Sequence, residues 1–209
     1  MNRENLKKTV PQLILACAVN LLVYYGAKAI MHGRPHLDLT TSLDEAIPLM
    51  SWTVLIYVAA FIFWIVNYYL TVSHGDSGFH RLIIAHCMGE AVCFLCFIFL
   101  PTAMARPEIT GTSVFDWMLS VVFAADVPNN LFPSIHCMIS WLCWIGIRKD
   151  EKVPGWYRNA SLIFAIAICI STVTVKQHFV ADVPSGIILA EVCYFLAQYF
   201  RRSAGPQNQ

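Results

Sequence analysis

The chain has 209 residues, of which 57% are apolar and 13% charged, and its formal net charge is +1. That charged fraction is about half the ~25% of soluble domains, and mean hydropathy is +0.58, which argues against a separate soluble domain. No basic stripe stands out, which argues against a nucleic-acid partner. A helical crossing takes roughly 20 apolar residues, so the composition implies one membrane domain over residues 1–209.

Arg3, Lys7 and Lys8 precede the first apolar run, 10–29. This resembles a signal peptide, with Ala27-Lys28-Ala29 as a possible cleavage site. A retained anchor is expected instead, because the topology requires this helix. The second and third runs are 47–70 and 82–100. A long loop, 101–130, follows. Its apolar and aromatic stretch 113–125 (Phe115, Trp117, Met118, Val121, Val122, Phe123) reads as a short interfacial helix, and as a border to a lipid entrance. Runs 131–147 and 160–175 are short for full spans, and 183–200 is the last before a polar tail. The expected fold is all-α: a polytopic membrane protein of six transmembrane helices, with an interfacial helix between helices 3 and 4.

The distribution of basic residues sets the orientation. With the N-terminus cytoplasmic, that side holds Arg3, Lys7, Lys8, Arg81, Arg148, Lys149, Lys152, Arg158, Arg201 and Arg202. The other side holds Lys28, Arg34, Arg106 and Lys176. Both termini are then expected in the cytoplasm. The eight cysteines fall almost entirely in apolar runs and read as small buried residues. Cys93 and Cys96 have metal-like spacing but lack a second pair.

Ionisable residues at membrane depth are costly and need a reason. On this topology three clusters converge on the outer face: Arg106-Pro107, Pro133-Ser134-Ile135-His136, and the segment from Lys176 through His178 to Asp182. Two histidines offer a nucleophile and a proton donor. A carboxylate four residues after His178 can orient its ring and leave the other nitrogen free; Asp182 also stands where it can cap the last helix. Arg106 and Lys176 are anion binders, and a guanidinium fork suits phosphate. Ser134 lies where a helix begins, and helix N-termini favour anions. The set describes phosphoryl transfer by charge stabilisation and covalent catalysis. A metal held by His136, His178 and Asp182 is the competing reading, opposed by the neighbouring cations.

These clusters resemble the motifs of the type-2 phosphatidic acid phosphatase superfamily, six-helix membrane enzymes. Its pattern is Lys, six residues, Arg-Pro; Pro-Ser-Gly-His; and Ser-Arg, five residues, His, three residues, Asp. Arg106-Pro107, Pro133-Ser134-Ile135-His136, and Ser171-Thr172 with His178 and Asp182 align in order and spacing. Phe99 stands where the pattern has lysine, Thr172 where it has arginine, and Ile135 where it has glycine. The resemblance implies that His178 attacks phosphorus and forms a phosphohistidine, that Asp182 holds its ring, and that His136 protonates the leaving oxygen. It implies that Arg106 and Ser134 bind phosphate, and that no metal or cofactor takes part. Lys176 is the candidate substitute for the missing cations. The implied activity is a lipid phosphatase acting on a phosphomonoester or pyrophosphate lipid at the extracytoplasmic face. The Lys-Gln-His-Phe form looks more like the branch containing inositol phosphorylceramide synthase-like proteins, which implies the alternative: a headgroup phosphotransferase with an alcohol acceptor.

Elsewhere, His86 and Glu90 share a helix face. With Asn20, Asn67 and Glu191 they read as interhelical hydrogen-bonding groups or as an ion path. Gly186 and Ser185 read as residues permitting close helix packing.

Overall fold

The computed structural model describes residues 3–73 and 76–203, and the side chains of residues 10–71, 78 and 80–200. Arg3, Lys7, Lys8, Arg201, Arg202 and the polar tail contribute to the expected orientation but lie outside the described side chains.

The elements are α1 (Arg3–Ile30), α2 (Ser42–Ala46), a 3-10 turn (Ser51–Thr53), α3 (Val54–Ser73), α4 (Asp76–Phe99), α5 (Val114–Ala125), α6 (Ile135–Ile147), α7 (Gly155–Thr174) and α8 (Asp182–Ser203). No strand occurs among the described residues, only two isolated bridges. Five helical stretches are long and apolar enough to cross a membrane: Val10–Ile30, Ser51–Thr71, His80–Phe99, Gly155–Thr174 and Asp182–Phe200. The surface agrees with that solvent. Leu22, Ile62, Ile163 and Phe195 are each about two-thirds exposed or more, whereas Asn67, Glu90, Ser140 and Ser171 are fully buried. Small and polar side chains inside with large apolar ones outside suit a bundle dissolved in lipid.

The stretch expected at 160–175 is longer than its apolar run. It starts at Gly155, after Pro154, whose fixed φ suits the entry to a helix. The stretch expected at 131–147 is shorter. The chain bends at Pro133 and is extended at Ser134, and the helix begins only at Ile135. With 13 residues, α6 rises about 20 Å, short of the ~30 Å hydrocarbon core. It packs against α3, α4, α7 and α8, and its core residues Met138, Leu142 and Ile145 have almost no exposed surface. A helix enclosed by other helices need not match the bilayer, because protein satisfies its ends.

Short N-caps fix the elements around the outer loops. Ser113 caps α5 and Thr41 caps α2, each reciprocated by an aspartate three residues on, Asp116 and Asp44. The long loop returns to the bundle through a small clasp. Thr102 accepts from the backbone of Asn130, Leu131 and Phe132, at 3.0, 3.1 and 3.1 Å, and Leu37 pairs with the same segment. Met104, Leu131 and Phe179 close over it as a buried apolar plug.

Gly186 sets how closely α8 approaches α6. A β-carbon there would lie 2.6 Å from the Ser134 carbonyl and 3.2 Å from the Met138 nitrogen. Its absence lets the start of α8 touch the start of α6, where the Ser134 amide donates to the Asp182 carbonyl at 3.4 Å. The fold thereby brings together residues 48 positions apart in the chain.

Candidate functional site

The segment from Lys176 to Asp182 is shaped by the way α7 ends. The Gln177 amide reaches back to the Thr172 carbonyl (2.9 Å) and the Lys176 amide to Val173 (3.1 Å), the paired bonds of a Schellman termination. Lys176 occupies the left-handed position with φ of 56°, a place usually held by glycine. The His178 amide also donates to the Thr172 carbonyl, at 3.1 Å. This turn carries His178 inward, where it is 8% exposed.

The proton on the His178 ring can be located. Nδ1 lies 3.0 Å from the Leu131 carbonyl and 3.0 Å from Asp182 Oδ2. A carbonyl only accepts, so Nδ1 bears the hydrogen and the Nε2 lone pair is free. Asp182 is fully buried at the first turn of α8, and its Oδ2 also accepts from the Phe179 amide at 3.0 Å. Burial lowers the His178 pKa, but the hydrogen bond and charge of Asp182 outweigh it, and the net shift is upward.

His136, on the first turn of α6, stands beside it with ring centroids 6.2 Å apart. Its ring stacks on Tyr57 at 4.4 Å and is flanked by Phe61 and Trp64. Trp64 is itself pinned by a 2.9 Å bond from its indole to Ser140. His136 Nε2 is buried and has no partner.

Arg106 lies over the Phe123 ring at 4.5 Å and donates to the Asp126 carbonyl at 2.5 Å and to the Gln177 side-chain oxygen. Its Nε has no partner. Burial lowers its pKa, opposed by the charge of Asp126, and a guanidinium remains charged under such shifts. The side-chain amide nitrogens of Gln177 and Asn130 are likewise buried and unpaired. Asn130 holds φ of 58°, a conformation asparagine tolerates. Arg106, Gln177 and Asn130 thus line the cavities at His178 with donor nitrogens that lack acceptors, beside the unpartnered Nε2 of His136. Unpaired buried donors cost roughly 1–3 kcal/mol each, so such a group suits an oxygen-rich anion.

Two cavities meet at His178. One, of about 310 Å³, runs between α1, α3 and α5 and is lined by Tyr24, Tyr57, Phe61, Trp64 and His136. The other, of about 350 Å³, lies under the outer loops beside Asp44, Arg106 and Lys176. Tyr24 donates to Asp126 at the edge of the first, tying α1 to the end of α5.

Ser134 and Lys176 have further commitments. The Ser134 side chain accepts from the Cys137 amide at 3.2 Å, as the N-cap of α6. The Lys176 ammonium donates to the carbonyls of Asp44 (2.7 Å) and Ile47 (2.5 Å), securing the end of α2; burial lowers its pKa, with the charge of Asp44 opposing. It borders the outer cavity with Arg106 and His178, with two of its three N–H donors already engaged. Phe99, at the position the superfamily pattern gives to lysine, is 81% exposed at the end of α4. Thr172, at the pattern's arginine, is buried, and its hydroxyl donates to the Cys169 carbonyl at 2.7 Å; its contribution to the turn is its own carbonyl.

Gln177 and Asn130 were not singled out by sequence reasoning. Gln177 sits between two residues that were, but nothing in the sequence says which way it points. Asn130 is the second of an Asn-Asn pair, a common loop signal, with no mark of chemistry. No family model matches the chain, and no curated protein matches it in sequence.

Proposed function

We propose that the chain is a membrane lipid phosphatase that hydrolyses a phosphomonoester or pyrophosphate lipid through a phosphohistidine on His178. The observation that carries this reading is the fixed proton on His178 Nδ1, which leaves Nε2 as a free nucleophile amid the unpaired donors of Arg106, Gln177 and Asn130. The motif resemblance to the type-2 phosphatidic acid phosphatase superfamily supports the same roles.

In the first step Nε2 attacks phosphorus, and a phosphorus–nitrogen bond forms as the phosphorus–oxygen bond to the lipid breaks. His136 gives its proton to the departing oxygen. Arg106, with the amides of Gln177 and Asn130, binds the phosphoryl oxygens as charge gathers on them. The imidazolium that develops on His178 is stabilised by Asp182. In the second step His136 takes a proton from water, the hydroxide attacks phosphorus, and inorganic phosphate leaves with His178 restored. Here α6 serves as a sixth crossing, the termini are cytoplasmic, and the site lies at the extracytoplasmic face, as the distribution of basic residues supports. The apolar cavity takes the lipid, and the amphipathic α5 borders its entrance.

The test is phosphate release from a panel of lipid phosphates by detergent-purified protein, with EDTA present and His178→Ala as control. Release by wild type alone is the expected result; release by both would end the proposal. A second reading, transfer to an alcohol, is favoured by the size of the outer cavity, which at about 350 Å³ holds far more than one water. Mass spectrometry of products with candidate alcohols separates the two, since free phosphate as sole product counts against transfer.

A further inference from the structure

At the far end of the bundle from the histidine pair, a separate cavity of about 280 Å³ opens between α4, α6 and α8. Among the described residues, the cations Arg81, Arg148 and Lys149 line it, with the carboxylate of Asp150. The cations are not equivalent. Arg148 is spent: its guanidinium holds Glu191 through two bonds, 2.7 and 3.1 Å, and lies 5.2 Å over Trp144. Arg81 lies 5.6 Å over the Tyr194 ring. Its Nε is buried without an acceptor, and among the described residues it pairs with no carboxylate. Lys149 stands exposed at the rim.

A guanidinium braced by an aromatic face, with an idle buried donor and a second cation beside it, is built to receive an oxyanion. The surroundings indicate where that anion comes from. Phe195 and Phe200, on the same helix as the lining residues Tyr194 and Gln198, are exposed on the apolar surface of the bundle. An anion bound here has room for hydrocarbon chains along α8.

We propose that this cavity binds the phosphate of an anionic phospholipid in the leaflet at this end, held by Arg81 and Lys149, at a site separate from the histidine pair. A basic pocket between membrane helices is a known setting for such headgroups. The site does not depend on the phosphatase reading.

The full-length protein is examined by native mass spectrometry after exposure to phosphatidylglycerol, phosphatidylcholine or inorganic phosphate, each alone. Wild type is expected to retain phosphatidylglycerol over phosphatidylcholine. Arg81→Gln and Lys149→Gln should each weaken that retention about fivefold. Thermal melting in phosphatidylcholine nanodiscs checks folding; if Arg81→Gln melts below wild type there, the exposed Lys149→Gln carries the test. Equal retention of phosphatidylglycerol by wild type and the folded variants overturns the proposal. So does retention of phosphatidylcholine to the same degree. Binding of inorganic phosphate without retention of phosphatidylglycerol makes the ligand a free anion and overturns the lipid assignment.

Discussion

His178–Asp182 and His86–Glu90 share one arrangement in sequence, a histidine with a carboxylate four residues later, and the bundle puts them to opposite uses. In the outer pair, Nδ1 of His178 is fixed by Leu131 and Asp182 and Nε2 is left unbonded beside two cavities. In the inner pair both ring nitrogens are taken. His86 Nε2 donates to the Ala16 carbonyl at 3.2 Å, and Nδ1 accepts from the Tyr68 hydroxyl at 2.7 Å. Glu90 lies 3.9 Å from that ring and instead accepts from the Asn20 amide at 2.8 Å. Spacing along the chain makes a pair; on the proposed chemistry, a nitrogen left without a partner makes it reactive. The inner pair joins α1, α3 and α4; His86 also borders a cavity, of about 260 Å³, but with neither ring nitrogen free.

The strongest test of this contrast removes the free nitrogen. His178→Ala should lower turnover at least ~1,000-fold in a protein that circular dichroism still shows folded; a rate within tenfold of wild type in a phosphate-release assay would dissolve the distinction. Next in size is Asp182→Asn, which should cost roughly 100- to 10,000-fold in kcat as the ring loses its orientation. Far-ultraviolet circular dichroism should show a folded protein, and kinetics unaffected by the substitution would remove Asp182 from the reaction.

Arg106→Gln keeps a planar amide but loses the charge, and a drop of about 10- to 100-fold in kcat/KM is expected. The pH profile adds direction. On the proposed mechanism attack requires neutral His178, whose pKa is raised, and a protonated His136, so the acid limb of kcat/KM should lie above the ordinary histidine range. Asp182→Asn removes the group that raises it, so the residual acid limb should move to lower pH; a limb that stays put would assign it to another group. The smallest catalytic effect belongs to the inner pair. His86→Ala should leave turnover per folded molecule unchanged while lowering stability by about 1–3 kcal/mol, because the Tyr68 hydroxyl loses its acceptor. A large rate loss in that folded variant would mean the two pairs are coupled.

The apolar runs made the long helices legible, because hydropathy over about 20 residues is a strong signal. The short helix α5 was legible too, from the apolar and aromatic stretch 113–125. The lower limit of α6 was legible from Ser134 but not from hydropathy. Leu131 continues the apolar run, yet its amide is taken by Thr102 and its carbonyl by His178, so the run overshoots the helix, whose start Ser134 marks as N-cap. The same holds at the candidate site. His136, His178, Asp182 and Arg106 are chemically conspicuous and their meeting at one end was readable. The roles of Gln177 and Asn130 arise from backbone turns with positive φ beside or at them, and hydropathy carries no trace of those. The engagement of the Lys176 ammonium by α2 was equally hidden, since α2 is five residues long and too short for a periodic pattern.

The two cavities that meet at His178 have a consequence in time. A passage that serves both a greasy molecule and a water-soluble one must be vacated by the first before the second can use it. With a lateral opening for one and a loop-side opening for the other, departure and arrival need not take turns. On the proposed chemistry, the dephosphorylated lipid would diffuse sideways while the nucleophile still carries its load, and the next reactant would approach from the opposite quarter. The two half-reactions would then be limited by different media, the first by traffic in the plane of the bilayer and the second by traffic from water.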